Sequence, residues 1–300
     1  MFACLQPQLP PSSPAAWLRN WRHPPVPRLV RVDVPGGAPF FRLEAVEGKS
    51  GLPWAEIEHA AGRCRTRMLF PAGLRPPCPL SQEEGGADTS AGRNGGLQAF
   101  VPRRLPLLLC LRAATQALRR CKTKAQDLSV AVADRKGVLT RSLEPLVMLA
   151  GSLRVFTPDI AQYRATAAGL QERYGATLLL GDSPACLANS SVVIADDLTL
   201  FTGRERGLIF TQDRRTDLPG CRIACGRLPS LRPATEALRP EGIDPLLFAA
   251  ALYELCGAGE LEQQGFEQMS LRFAGQEETM SVQALAALID LDVIPKYSRI

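Results

Sequence analysis

From Leu128 to Asp213 the chain repeats one pattern, a short β-rich apolar run followed by a polar turn. The runs are LSVAVAD (128–134), LRVFT (153–157), ATLLLG (176–181), SSVVIAD (190–196) and GLIFTQD (207–213). Hydrophobicity that is continuous, not alternating, suits a strand buried on both faces. Helical segments separate the first runs. RSLEPLVMLAG closes at Gly151, and Asp159 stands where it can cap a helix carrying Ile160, Tyr163, Ala167 and Leu170, with Gly175 as its left-handed terminus. Strands and helices alternating over short connections require right-handed crossovers and a mainly parallel sheet. The expected fold class is therefore α/β, with a doubly wound sheet preceded by a smaller α+β domain.

The domain organisation follows from where this pattern starts. Residues 1–27 contain seven prolines and read as an irregular Pro-rich arm. Residues 28–126 read as a small basic α+β domain. In it, VRVDVPGGAPFFRLEAV gives two strands around a Pro-Gly-Gly turn, and GLPWAEIEHAAGRC gives a short helix. Thr66 to Phe70 is a further strand, and the Gly-, Pro- and Ser-rich stretch 71–96 a mobile loop. Leu105 to Cys121 forms a long helix, and the polar KTKAQD is the junction to the α/β domain, 127–300. Inside that domain Asp244 and Pro245 announce a helix closed by Gly257, expected to pack on the parallel sheet. The stretch ending MSVQALAALIDLDVI is a last helix over a core edge.

Charge and cysteine content narrow the function classes. Residues 1–126 carry 18 Lys and Arg against 8 Asp and Glu, and residues 127–300 carry 17 against 22. A basic half can attract an anionic partner or a second domain of opposite charge. Its basic residues are mostly single arginines between apolar positions, without interleaved aromatics to stack on bases, which argues against nucleic acid. The nine cysteines are scattered through apolar contexts and read as buried free thiols. Cys221 and Cys225 have no second pair and no nearby histidine, so no metal site is expected. The only histidines are His23 and His59, which excludes histidine catalysis from the C-terminal half. No apolar run approaches the roughly 18–20 residues of a spanning helix. The proline-broken opening lacks the pattern of a secretory leader. The expected location is the cytoplasm, and no membrane partner is expected.

In a parallel sheet the ligand crevice lies beyond the carboxyl ends of the strands. This places there Asp134, Arg135, Lys136 and Gly137 after the first strand, Thr157 and Asp159 after the second, Gly181, Asp182 and Ser183 after the third, and Asp196 and Asp197 after the fourth; the eight after the first, second and fourth strands are singled out as ligand-binding candidates. The order of elements over roughly 128–215 resembles the Rossmann-like NAD(P)-binding superfamily, distantly and in architecture only. Asp159 lies 22 residues after Gly137, near where that family's ribose-binding acid falls. Where its G-x-G-x-x-G brings the backbone to a pyrophosphate, this chain has D-R-K-G-V-L, with one glycine. Arg135 and Lys136 could instead supply charge to some other anion.

A second resemblance is to haloacid-dehalogenase-type phosphatases. ADRKGVL looks like their nucleophile loop, VFT like their second-strand threonine and VVIADD like their paired acids. It implies Asp134 as phosphoryl acceptor and a magnesium ion on Asp196 and Asp197. The second aspartate of that loop is Lys136 here, and only 23 residues separate Asp134 from Thr157, little room for the flap that family inserts. Asp and Gly at strand ends are also ordinary turn and cap residues. The leading expectation is a binding or structural module with a degenerate Rossmann-like domain, open to a small anionic or nucleotide ligand. The alternatives are a divergent NAD(P)-type oxidoreductase and a Mg-dependent phosphatase. Whether the chain is an enzyme, its cofactor and its oligomeric state are not legible.

Overall fold

The computed structural model describes residues 1–8, 13, 20, 25–48, 51–64, 67–74, 76, 97–195, 197–201, 207–213, 218, 220–226, 233–258 and 266–293. In chain order the elements are β1 (Phe2–Gln8), β2 (Arg28–Val32), β3 (Phe40–Val46), α1 (Trp54–Cys64), β4 (Arg67–Leu69), α2 (Leu105–Leu118), β5 (Ser129–Ala133), α3 (Glu144–Val147), β6 (Ser152–Phe156), α4 (Ala161–Tyr174) and β7 (Leu178–Gly181). They continue with β8 (Val192–Ala195), β9 (Leu208–Phe210), β10 (Arg222–Gly226), α5 (Pro233–Glu236), α6 (Pro245–Cys256), β11 (Gln268–Phe273), β12 (Gln276–Ser281) and α7 (Val282–Val293). Two compact units result, Met1–Pro102 with Ser230–Leu261, and Arg103–Pro229 with Glu262–Ile300.

The first unit is built on a four-stranded sheet of order β2-β3-β1-β4, with β1 parallel to β3 and β4 and β2 antiparallel to β3. The hairpin around Pro-Gly-Gly is present as β2 and β3. The strand Phe2–Gln8 is a difference from the irregular arm expected over 1–27. Phe2, Ala3, Cys4 and Leu5 are all fully buried, and the period of two divides them between the sheet's faces. Ala3 and Leu5 join Ile57 and Ala61 of α1 in one cluster. On the other face Phe2 stacks on Phe40 at 4.9 Å, and Phe248 of α6 meets both edge-on. Pro7 is tolerated because β4 pairs only with Phe2–Cys4, leaving β1 an edge at that point.

The signals that framed α6 hold. The Asp244 carboxylate accepts the Leu247 amide at 2.9 Å, and Gly257 takes φ 73°. Its location does not: α6 belongs to the smaller unit, not to the parallel sheet. An apolar helix states that it is buried without stating against what. The same ambiguity moved α2, expected before residue 126, into the second unit. Eleven of its fourteen residues are buried, more than a one-sided amphipathic helix would cover.

The second unit holds an eight-stranded sheet of order β12-β11-β10-β9-β8-β5-β6-β7. Strands β5 to β10 are parallel to their neighbours, and β11 and β12 add an antiparallel edge. Numbered from β5, the parallel strands run 3-2-1-4-5-6, the order of doubly wound sheets whose switch point lies between the first and fourth strands. Strand β5 is buried on both faces, as its sequence requires. One face receives α2, on which α7 packs. The other carries Ala131, Ala133, Phe156, Val193, Ala195, Ile209 and Ile223 beneath Leu187 and Leu198 of two short 3-10 turns. Those turns take the place of full helices after β7 and β8.

Three strands of this sheet, β10 to β12, were not read from the sequence. β12, QEETMS, is nearly all exposed and has no apolar period to detect. Its register is set by a two-residue turn in which Ala274 (φ 52°) and Gly275 (φ 77°) both adopt left-handed backbone. Most of the expected loop 71–96 lies outside the described residues. Among the described residues no helix is long and apolar enough to cross a membrane.

Candidate functional site

The crevice at the carboxyl ends of β5, β6 and β8 gathers seven of the eight residues singled out; Asp196 lies outside the described residues. The chain leaves β5 at Asp134, whose amide continues the ladder to Phe156 O at 3.0 Å. It then makes a run of tight turns that reaches α3. There is no strand, and hence no hairpin flap, between Asp134 and α3.

Asp134 is 1% exposed, and its carboxylate is filled from within the protein. Oδ1 accepts the amides of Lys136 (3.2 Å) and Val138 (3.1 Å), and Oδ2 accepts the amide of Leu139 (2.7 Å) and the Tyr163 hydroxyl. Four donors converge on two oxygens. Burial first, and then the neighbouring Asp134 charge, pushes the Tyr163 phenol above its ordinary range, so it remains a donor. Gly137 allows the loop to turn back with φ 66°, and a side-chain carbon there would overlap Gln162 Oε1. Sequence reading placed Tyr163 on the apolar stripe of its helix and missed the bond. The available signal was the hydroxyl itself, since a buried phenol needs a partner.

Thr157 and Asp159 form a second, local arrangement. Thr157 is fully buried and continues the ladder to Gly181 O at 2.9 Å. Its hydroxyl accepts the Asp159 amide at 3.3 Å. The Asp159 carboxylate then accepts the Ala161 amide at 3.1 Å and Gln162 Nε2 at 2.8 Å. Asp159 is thus a helix-start residue for α4, as its position suggested.

Arg135 and Asp197 meet across the switch point. Arg135 Nη1 lies 3.3 Å from Asp197 Oδ2, the side chains being 52% and 31% exposed. Asp197 Oδ1 also accepts the Thr199 amide (2.8 Å) and hydroxyl (2.7 Å). Lys136 is exposed beside Arg135.

The arrangement tests the two groups the resemblances imply. For a pyrophosphate, the loop after the first strand must offer its amides outward. Here those of Lys136, Val138 and Leu139 point at Asp134. For a phosphoryl acceptor beside magnesium, the Asp134 carboxylate must be accessible. Asp134 is 1% exposed, and both of its oxygens are occupied by internal donors. Neither group fits the residues present. Among the described residues no cluster of three metal-ligating side chains occurs. Cys221 and Cys225 are buried, Cys221 inside the apolar cluster and Cys225 donating to Thr211 O at 2.8 Å.

No family model and no curated protein sequence matches the chain. Among solved structures, it is similar to L-tryptophan dehydrogenase from Nostoc punctiforme, with 12% identity, a TM-score of 0.30, and coverage of 98% of this chain and 80% of the dehydrogenase. It is also similar to Thermococcus litoralis Δ1-pyrroline-2-carboxylate reductase, solved with NADH and L-proline, with 10% identity and a TM-score of 0.28. That match covers 35% of this chain, which spans 36% of the reductase's length.

Proposed function

We propose that this chain is a cytoplasmic binding module built on a degenerate Rossmann-like domain, serving neither as an NAD(P)-dependent oxidoreductase nor as a magnesium phosphatase. One observation carries the reading: the backbone amides after β5, which a dinucleotide's pyrophosphate would require, are taken up by the buried Asp134 carboxylate. What the crevice offers a ligand is side-chain charge. Arg135 and Lys136 are exposed at the switch point, and the ion pair of Arg135 with Asp197 is worth at most ~1 kcal/mol at such exposure, so a small anion can displace it. The ligand class that fits is a small anion held at the surface of the crevice.

A thermal-shift panel tests this, because a ligand specific for the folded state raises apparent stability by mass action. The arms are NAD(P), nucleotides, phosphate esters with magnesium, small carboxylates and short nucleic acids. The reading expects a shift with small anions that is lost in an R135A/K136A double variant, and none specific to the nicotinamide. A saturable shift with NAD(P)H that survives R135A/K136A would overturn it in favour of the oxidoreductase.

A further inference from the structure

We infer that the turn after β5 is an anion cradle whose anion is built into the chain, so that removing the Asp134 carboxylate leaves a vacancy that a free monocarboxylate of the same size refills. Three amides and a phenol converge on the two oxygens of one 1%-exposed side chain, from a loop of six residues and from α4. Backbone amides gathered in this way form a concavity suited to negative charge. Here the charge arrives from the residue that ends the strand, at no cost in ligand ordering, and the loop is arranged without a bound molecule. Gly137, with φ 66° and Gln162 packed over it, gives the turn its return path. The inference concerns the loop's own construction and does not depend on whether Arg135 and Lys136 hold a ligand.

The chemistry dictates the probe. Asp134→Ala deletes one carboxylate from a closed space and leaves four donors facing it. Formate supplies the missing carboxylate atom for atom. The expected result is a melting temperature lowered by roughly 5–10 °C in the variant, with about half recovered as formate is raised at constant ionic strength. The wild-type protein in the same series, and the variant in matched chloride, show no such recovery. Equal response of wild type and variant, or none in either, overturns the inference.

Should D134A fail to fold, hydrogen exchange of the wild-type amides decides the matter. The Lys136, Val138 and Leu139 amides are expected to exchange ~100-fold or more slowly than an open loop, without any added anion. Exchange at the open-loop rate overturns the proposal. Failed rescue with the amides still protected leaves the proposed function standing, open-loop exchange removes the observation that carries it as well, and the absence of any anion shift in the wild-type panel leaves the formate experiment standing.

Discussion

The turns after β5 and β8 begin alike and end differently. Each follows a buried, mainly apolar strand, each has an aspartate near the strand end, and the two lie on adjacent strands at the switch point of the sheet. Asp134 is enclosed and accepts four hydrogen bonds, one of them from α4. Asp197 is partly exposed, caps its own short turn and reaches one arginine. The contrast teaches that position at a strand end does not assign a role to an acid. What separates the two is that three of the following amides fold back onto Asp134 against the Thr199 amide on Asp197, and that a helix supplies a lid only over Asp134.

The comparison can be broken at several points, the most damaging first. Replacing Asp134 by alanine leaves four donors unsatisfied, two of them buried and two part-buried, and is expected to cost ~3 kcal/mol, read from denaturant midpoints. A cost below that of the corresponding change at Asp197 would reverse the contrast. Tyr163→Phe removes one donor while keeping the ring in its pocket, and ~1–2 kcal/mol should be lost. If Y163F is neutral, α4 is no part of the enclosure.

A third acid supplies an intermediate case with a pH signature. Asp290 of α7 accepts the Thr123 hydroxyl at 2.7 Å and the Thr123 and Lys122 amides at 2.9 and 3.1 Å. Partial burial opposes its charge, but those bonds and the Lys122 charge outweigh it and hold the carboxyl below its ordinary range. A depressed value in the folded state means the contribution is present above the unfolded value, near ~3.9, and is lost as pH falls through the folded one. Asp290→Asn should therefore cost ~1 kcal/mol at neutral pH and flatten the acid limb of the stability curve. An unchanged acid limb would show that Asp290 contributes nothing by its charge. Asp197→Asn comes last, with an expected change under ~1 kcal/mol that shrinks further in high salt.

Much of the second unit's framework was legible because its strands are continuous apolar runs and its helices have marked ends. LSVAVAD could hardly be other than a doubly buried strand, and Gly175 takes the left-handed conformation that ends α4. Partners were not legible. The apolar content of α2 and α6 fixed burial but not the sheet each would cover, so both were placed in the neighbouring unit. β12 escaped because an exposed edge strand has no hydrophobic pattern to betray it. Seven of the eight named residues lie at or just beyond strand ends, with Asp196 outside the described residues, and their roles turn on loop direction, which D-R-K-G-V-L does not disclose. Tyr163 was visible as a core residue; its hydroxyl, bonded to an aspartate 29 positions earlier, was not.

Following the backbone amides by NMR while NADH is added tests the central claim most directly. The account predicts that the Lys136, Val138 and Leu139 resonances stay in place up to millimolar NADH, since their hydrogens are already given to Asp134. Saturable displacement of those three resonances at micromolar NADH would contradict it, because it would mean that the loop opens to a pyrophosphate.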